Sequence, residues 1–201
     1  MSFRLEEKIF IKNLSVFDFK KWLFSKGGKI LYPPRLINSV YFDNKLKMYL
    51  DSVEGVVPRK KIRIRTYNKN FFLKSNSYKK EIKSTYYNYR EKISKNFDIK
   101  SKSLNIYIYD KDYGVCKPIL NVNYFRNYFE LNKVRITLDE NIIYNCIKNN
   151  YISEFGVRDN EKVIEIKSLN LNQYDYLKDL IPLSRSRFSK YCRGVELLYL
   201  N

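Results

Sequence analysis

Residues 59–67 alternate cationic and apolar side chains with a period of two. In a β-strand, residues two positions apart lie on the same face of the sheet. A strand with one buried face normally turns its apolar side chains inward and its polar ones to water. In this segment the polar face is almost entirely positive, which predicts a strand that presents a cationic surface. That face carries Arg59, Lys61, Arg63, Arg65 and Tyr67, and the opposite face carries Ile62, Ile64 and Thr66.

The same alternation recurs in four other segments. Because unit charges about 6 Å apart repel by roughly 2–3 kcal/mol at an effective dielectric of about 20, such faces can meet only if carboxylates are interspersed or an anion enters. The pattern therefore predicts a sheet curled around an anion. The recurring sets are Arg4, Glu6 and Lys8 between Phe3, Leu5 and Ile9; Glu81 and Lys83 beside Ile82; Arg135 between Val134 and Ile136; and Glu165 and Lys167 beside Ile166.

The predicted fold class is α+β: an eight-stranded antiparallel β tunnel, closed as a barrel, with flanking helices. A barrel of about eight strands can hold one small ligand. The 201 residues fit a single domain, 1–201. The eight strands are predicted at 3–12, 38–43, 59–67, 79–87, 119–131, 133–138, 163–168 and 185–190. Helical structure is predicted between Ser15 and Gly27, as a turn at 45–50, at 172–181 and at the end of the chain. Residues 89–97 are interpreted as a polar extension or a helix, and residues 104–112 as helix or loop.

The chain has no histidine, which excludes Ser-His or Cys-His nucleophile pairs, an imidazole general base and a His-ligated zinc site. A bound metal must then rely on carboxylate oxygens, which favour Mg²⁺ or Mn²⁺. The three cysteines, Cys116, Cys146 and Cys192, are widely spaced and are interpreted as reduced thiols.

The formal net charge of +18 is compatible with a solvated basic surface or with a polyanionic partner, which could be nucleic acid, an anionic membrane or phosphate chains. Charge alone does not choose among these. No apolar stretch is long enough to span a bilayer. The N-terminal segment carries acidic residues where a signal peptide needs an apolar run. We therefore expect a soluble cytoplasmic protein, with its oligomeric state left open.

The charged motifs, taken together and in order, resemble the polyphosphate polymerase domain of the vacuolar transporter chaperone (VTC) family, within the triphosphate tunnel metalloenzyme, or CYTH-like, superfamily. The similarity covers nearly the whole chain, with residues 86–113 matching poorly, and the last motif favours the VTC branch. The motifs are Arg4-x-Glu6-x-Lys8, Ser39-Val40-Tyr41-Phe42-Asp43, Lys61-Ile62-Arg63-Ile64-Arg65-Thr66-Tyr67, Glu81-Ile82-Lys83, Tyr124-Phe125-Arg126, Arg135-Ile136-Thr137, Glu165-Ile166-Lys167 and Phe188-Ser189-Lys190-Tyr191.

This resemblance implies that the terminal phosphoryl group of ATP is transferred onto a growing polyphosphate chain, assisted by Mn²⁺ or Mg²⁺. By resemblance, Glu165 holds the metal, while Glu6 and Glu81 are secondary metal candidates that mainly orient cations. The implied catalytic phosphate ligands are Lys8, Arg63, Arg65, Lys83, Arg126 and Lys190, and further substrate-binding candidates are Arg4, Tyr124, Arg135, Lys167 and Ser189.

Two other functions stay open at this point. A tunnel triphosphatase would hydrolyse tripolyphosphate or nucleoside triphosphates, and the sequence does not separate it from a polymerase. A non-catalytic polyanion or RNA-binding module is disfavoured, because single-stranded nucleic acid is usually held by base-stacking aromatic side chains on an open face. Structural roles also remain open for single residues: an exposed edge strand for Arg63 and Arg65, a lysine ion pair for Glu165, and core packing for Tyr124.

Overall fold

The computed structural model describes residues 5–10 (by their backbone), 15–73, 77–99, 103–168 and 188–200. These ranges hold eleven β-strands, three α-helices and a final π-helical turn. In chain order the elements are β1 (Leu5–Phe10), α1 (Val16–Ser25), β2 (Lys29–Asp43), α2 (Lys47–Glu54), β3 (Arg59–Thr66), β4 (Tyr78–Thr85), β5 (Arg90–Phe97), β6 (Ile108–Asp110), β7 (Gly114–Leu131), β8 (Val134–Lys148), β9 (Tyr151–Ile152), β10 (Val157–Arg158), β11 (Val163–Ser168), α3 (Lys190–Val195) and the turn Glu196–Leu200.

The strands follow an open hydrogen-bonded order, β1-β11-β8-β7-β2-β3-β4-β5, with β6 added to β7 and both β9 and β10 added to β8. The predicted α+β class and antiparallel pairing are confirmed by the registers of β1–β11–β8 and β2–β3–β4–β5. The predicted closure into a barrel is wrong for the described residues, because the order ends at β1 and β5 without pairing them. Among the described strands β5 pairs with β4 alone, and its side chains, many of them charged, are exposed along nearly its whole length, as suits an edge strand.

Two compact units divide the chain. Unit 1 comprises Met1–Arg35, Tyr124–Ile142 and Asp159–Phe188, and unit 2 comprises Leu36–Asn123, Ile143–Arg158 and Ser189–Asn201. β2, β7 and β8 contribute residues to both units. In the ranges that the structure describes, no helix is long and apolar enough to cross a membrane.

In unit 1, helix α1 covers the apolar face of the sheet. Ser15 caps it, as the sequence predicted, by accepting a hydrogen bond from the backbone N–H of Asp18 at 3.0 Å. The helix ends before Gly27, whose φ of +84° suits glycine. Phe19 and Leu23 are fully buried against alternate residues of β7, β8 and β11: Phe129, Leu131, Val134, Ile136, Leu138, Ile164 and Ile166.

The period of two then leaves the charged residues of unit 1 on the other face of the same strands. The register places Thr137 opposite Glu165 and Arg135 opposite Lys167. Asp139 follows two residues after Thr137 and therefore lies on this face as well. One face of these strands is thus committed to the core and the other to charged groups.

In unit 2, β3 is an interior strand between β2 and β4. Ile62 and Ile64 are fully buried on one of its faces. On the other face, Arg63 lies opposite Tyr41 of β2 and Glu81 of β4. The predicted pairing of the cationic strand with the following segment is confirmed.

Two ambiguous segments of unit 2 turn out to be strands. The segment at 89–97 is the strand β5, which pairs with β4 over eight residues. The interpretation of 104–112 as helix or loop misses the short strand β6, which pairs with β7. Three residues are too few to show a period of two, so the sequence carried no signal for it.

Helix α3 confirms the predicted terminal helix. Ser189 is its N-cap and accepts a hydrogen bond from the backbone N–H of Cys192 at 3.3 Å. Lys190 is the first residue of this helix and not the end of a strand. The predicted helix at 172–181 and residues 185–187 of the predicted last strand lie outside the described residues.

Candidate functional site

In unit 2, two arginines converge on one buried carboxylate. Glu81 is only 2% exposed. Its Oε2 atom accepts from Arg63 Nε at 2.7 Å and lies 2.6 Å from Arg63 Nη2. Arg65 Nη1 lies 3.6 Å from the same oxygen, and Lys92 Nζ lies 2.5 Å from Oε1. The guanidinium groups of Arg63 and Arg65 are therefore held together from one side.

The charge state of Glu81 follows from these contacts. Burial by itself raises the pKa of a carboxyl group, but Arg63, Arg65 and Lys92 hold the pKa of Glu81 well below its usual range. Glu81 is therefore ionised throughout the physiological range. Its contacts are with cations, which favours an orienting role over metal binding.

Three lysines extend the positive charge around this pair of arginines. Lys61 of β3 lies opposite Lys83 of β4, which lies opposite Lys92 of β5. Lys61 Nζ also donates to Ser189 Oγ at 2.9 Å, which links β3 to the start of α3. Lys190, the next residue, exerts an electrostatic effect on Tyr41. Cations clearly outnumber carboxylates in this cluster, so it attracts anions.

Tyr41 lies beside the cationic cluster and was not among the predicted site residues. Arg63 Nη1 donates to its hydroxyl oxygen at 3.0 Å, and the Arg63 guanidinium carbon lies 5.7 Å from its ring centroid. The ring stacks on Tyr191, with centroids 5.3 Å apart. The alternation of Tyr41 with Val40 and Phe42 was the available signal, since it places Tyr41 on the face opposite these two buried residues.

In unit 1, Arg126 binds a buried carboxylate through two parallel hydrogen bonds. Arg126 Nε and Nη2 donate to the two oxygens of Asp139, each at 2.6 Å. Arg126 Nη2 also lies 3.6 Å from Glu165 Oε2, and Lys167 Nζ lies 3.4 Å from the same oxygen. The ring of Tyr124 lies 5.4 Å from the Arg126 guanidinium carbon. Four of the predicted residues of unit 1 therefore form one cluster around Arg126.

The surroundings of Arg126 keep its guanidinium group positively charged. Burial lowers the pKa of a guanidinium, but Asp139, Tyr124 and Glu165 outweigh it and raise the pKa of Arg126 well above its ordinary value. Asp139 was missed by the sequence analysis. Its position two residues after Thr137 indicated that it lies on the charged face of β8, but not that it contacts Arg126.

Arg135 carries a buried hydrogen-bond donor that is not satisfied by the described residues. Its Nε atom is buried and, within the described part of the chain, has no hydrogen-bond partner. Buried donors are normally paired. An entering anion would supply the missing acceptor, which agrees with the predicted role of Arg135 in substrate binding.

The first strand contributes positions to the cluster of unit 1. The backbone register places Lys8 opposite Glu165 and Glu6 opposite Lys167. Arg4 lies outside the described residues. The predicted order of charged positions on β1 therefore lines up with the charged face of β11.

The carboxylates of unit 1 suit a metal that is completed by its substrate. Among the residues that the structure describes, no group of three or more potential ligands clusters around one point. Mg²⁺ is commonly bound through one or two carboxylates together with phosphate oxygens and water. Glu165 is a buried oxygen donor of this kind. Both oxygens of Asp139 accept from Arg126, so Glu165 remains the carboxylate that the sequence predicts as a metal ligand.

The structure thus brings the predicted residues together in two sets, one in each unit. Unit 2 collects Arg63, Arg65, Glu81 and Lys83 on the sheet and Ser189 and Lys190 at the start of α3. Unit 1 collects Tyr124, Arg126, Glu165 and Lys167, with Arg135 in register beside them. The edge-strand interpretation of Arg63 and Arg65 fails because β3 is interior. The ion pair between Glu165 and Lys167 and the burial of Tyr124 are both present.

We compared the chain with curated proteins and with solved structures. The comparison with curated proteins gave no match. Among solved structures, one from Vibrio parahaemolyticus, described as a candidate adenylate cyclase, shares 15% identity at a TM-score of 0.54 and covers 97% of this chain and 98% of its own. Another, from Hippeastrum, is described as a candidate adenylyl cyclase with a dominant triphosphatase activity; it shares 15% identity at a TM-score of 0.55 and covers 98% and 99%.

At this identity the two solved structures establish the fold, and the family rests on a separate match. Residues 4–199 match the family model of the VTC domain. The resemblance seen in the sequence is therefore confirmed over nearly the whole chain. The chain belongs to the VTC domain family.

Proposed function

We propose that this chain is a polyphosphate polymerase that transfers the terminal phosphoryl group of ATP onto a growing polyphosphate chain, with residues 1–201 acting as one functional domain. The observation that carries the proposal is the cationic cluster of unit 2. Arg63 and Arg65 share the buried Glu81, and lysines of β3, β4, β5 and α3 surround them. Cations outnumber carboxylates among these residues, so a polyanionic ligand would relieve their mutual repulsion.

Phosphoryl transfer requires positioning and charge stabilisation more than covalent work by the protein. Guanidinium groups can grip two phosphate oxygens each, and ammonium groups act as adjustable point charges. We assign these roles to Arg63, Arg65 and Arg126 and to Lys8, Lys83 and Lys190. Arg4, Tyr124, Arg135, Lys167 and Ser189 are proposed to assist in substrate binding.

Glu165 would hold Mn²⁺ or Mg²⁺, which would supply positive charge to neutralise the charge that develops on the phosphate oxygens. Asp139 keeps Arg126 fixed beside that carboxylate. Glu6, opposite Lys167 in the sheet, is a second candidate for the metal shell.

The free thiols Cys116, Cys146 and Cys192 support a cytoplasmic location for the reaction.

A property of Glu81 supports a polymerase over a triphosphatase. Hydrolysis benefits from a general base that activates water, and without histidine that base would be a carboxylate. The cations around Glu81 hold its pKa well below its usual range, which makes it a poor base. In a polymerase the acceptor is a phosphate chain that is already ionised, so no such base is required.

A triphosphatase that cleaves tripolyphosphate or nucleoside triphosphates is the second candidate. It is favoured by the Hippeastrum neighbour, whose description reports a dominant triphosphatase activity. The same cationic cluster would bind its substrate, with water replacing the phosphate chain as acceptor. The two functions therefore differ in their products and not in their ligands.

The test is a product assay with purified protein, ATP and Mn²⁺ or Mg²⁺, resolved on a polyphosphate gel with parallel measurement of ADP and orthophosphate. We expect ADP and long polyphosphate, with little orthophosphate at early times. The test variant is Arg65→Ala, which should lose most of the polymer product. Its matched control is Arg158→Ala, at an exposed position of β10, which should retain polymer synthesis. Stoichiometric orthophosphate without polymer at every metal concentration would assign the triphosphatase instead.

A further inference from the structure

The Tyr41 hydroxyl is a polar group for which the proposed function has no use so far. Tyr41 lies on β2 directly opposite Arg63 and is only 7% exposed. Arg63 Nη1 donates to its oxygen at 3.0 Å. The guanidinium also stacks over the ring, so the two side chains are in close contact.

A phenol can accept hydrogen bonds through its lone pairs and donate one through its proton. Arg63 uses an accepting position. Within the described residues, no acceptor takes the proton of Tyr41. This proton is therefore available to an acceptor that enters the site with a ligand.

The surroundings define what that acceptor is. Arg63, Arg65 and Lys190 all act electrostatically on Tyr41. Burial by itself raises the pKa of a phenol, but these three cations outweigh it and lower the pKa of Tyr41. A ligand held by the same cations is an anion, and hydrogen bonds to ionised oxygens are short and strong. A phosphate oxygen fits this description.

A second set of contacts fixes the position of the Tyr41 ring. Its ring stacks on Tyr191, which is 2% exposed. The Tyr191 hydroxyl donates to the buried carboxylate of Asp43. Asp43 also accepts from the backbone N–H groups of Asn44, Met48 and Tyr49 at 2.6, 3.0 and 3.2 Å. The ring of Tyr41 is therefore held in one orientation, with its hydroxyl beside Arg63.

We propose that Tyr41 is a further substrate-binding residue, which donates its hydroxyl proton to an oxygen of the phosphate chain held by Arg63 and Arg65. The inference rests on the proposed function, because it takes a polyphosphate chain as the ligand. It adds a neutral donor to a site otherwise made of cations. Such a donor distinguishes ligands by where their oxygen atoms lie as well as by their charge.

The first experiment measures tripolyphosphate binding by calorimetry in the presence of chelator, so that no metal is needed. Tyr41→Phe keeps the ring, its burial and its stacking on Tyr191, and removes only the hydroxyl. We expect its affinity to fall about tenfold, as for loss of one hydrogen bond to a charged group. The matched control is Tyr109→Phe, at a tyrosine that is 75% exposed, and its affinity should be unchanged.

A second readout reports on the phenol itself. When a tyrosine hydroxyl gains an anionic acceptor, its near-ultraviolet absorbance shifts to longer wavelength. Tripolyphosphate should produce this difference spectrum in the wild-type protein and in Tyr109→Phe, but not in Tyr41→Phe. The melting temperature of ligand-free Tyr41→Phe should match the wild type within a few degrees, which shows that the variant is folded.

A double-mutant cycle separates donation to the ligand from an effect through Arg63. If Tyr41 donates to phosphate directly, Tyr41→Phe lowers affinity by a similar factor in the Arg63→Gln background. If it acts only by holding Arg63, the second substitution has no further effect, and the proposal is overturned.

The outcomes also keep this inference distinct from the proposed function. If the wild-type protein and Tyr41→Phe bind tripolyphosphate with the same affinity, Tyr41 has no role in binding and the proposed function stands. If the wild-type protein does not bind tripolyphosphate at all, both the inference and the proposed function are refuted. Loss of affinity in Tyr41→Phe together with loss of the difference spectrum supports the inference.

Discussion

Each of the two units uses a buried carboxylate to hold an arginine, but the charge balance around the pair is different. In unit 1, Arg126 is matched by Asp139 and has Glu165 as a second acidic neighbour. In unit 2, the single carboxylate of Glu81 contacts Arg63, Arg65 and Lys92. Among the residues that the structure describes, charges are therefore more nearly balanced around Arg126 in unit 1 than around Arg63 and Arg65 in unit 2.

This difference suggests that the two units contribute different chemistry. A cluster in which cations outnumber carboxylates attracts an anion at long range, while buried carboxylates are the kind of ligand that a divalent cation prefers. We therefore assign phosphate binding chiefly to unit 2 and the metal chiefly to unit 1. The following predictions test that assignment, beginning with the largest effect.

Asp139→Asn should destabilise the protein by about 3–5 kcal/mol, because it leaves the charge of Arg126 buried without its main partner. The measurement is urea unfolding at neutral pH. The control is Asp98→Asn, an exposed residue after β5, which should change stability by less than about 0.5 kcal/mol.

A double variant sharpens this result. Replacing both members with apolar residues, in Arg126→Met/Asp139→Leu, should recover part of the lost stability, since no unpaired charge then remains. Activity should not recover, because the double variant lacks Arg126, which we propose as a phosphate ligand. A loss below about 1 kcal/mol in Asp139→Asn alone would show that the pair in unit 1 is not held as tightly as its geometry implies.

Glu165→Gln should lower kcat about a hundredfold, equivalent to about 2.7 kcal/mol, because it removes the carboxylate proposed to hold the metal. Tripolyphosphate binding in chelator should change little, since that binding is assigned to unit 2. Steady-state kinetics over a range of Mn²⁺ concentrations and calorimetry give the two quantities. Glu154→Gln, at an exposed residue, is the matched control. Full activity of Glu165→Gln, or full wild-type activity in excess chelator, would refute the metal role.

The alternation of side chains in the sequence predicted much of this arrangement. It identified which face of β3, β4, β8 and β11 is charged, and the apolar residues of the opposite faces, such as Ile64 and Ile166, are buried as expected. The N-cap at Ser15 and the glycine after α1 were also readable, because caps depend on a few local residues.

Partners within a charged face were not readable. A period of two shows the face on which Asp139 lies but not that Arg126 is its partner, since that contact depends on the register of β7 with β8. The same limit hid the contact of Tyr41 with Arg63 and of Lys92 with Glu81. Closure into a barrel was a global property inferred from strand number, and strand number does not determine whether the two end strands pair.

The smallest predicted effect concerns the pH dependence of stability in unit 2. The pKa of Glu81 is well below its usual range in the folded protein, while its ordinary value is 4.5. A carboxylate with a lowered pKa contributes stability above its unfolded pKa and loses it as pH falls towards the folded pKa. When the pH is lowered from 6 to 3.5, the free energy of unfolding of the wild-type protein should therefore fall by about 1 kcal/mol because of Glu81.

Glu81→Gln tests this dependence, because it removes the titrating group and keeps the size of the side chain. At pH 6 the variant should be less stable than the wild type, and the difference should narrow by about 1 kcal/mol at pH 3.5. Urea unfolding at the two pH values measures it, with Glu91→Gln, at an exposed residue of β5, as the control. Added tripolyphosphate should stabilise Glu81→Gln at least as much as the wild type, because the cations that lose their carboxylate gain an anion instead. A constant difference between pH 6 and pH 3.5 would mean that Glu81 is not the group that balances Arg63 and Arg65. The contrast between the charge balance of unit 1 and that of unit 2 would then need another explanation.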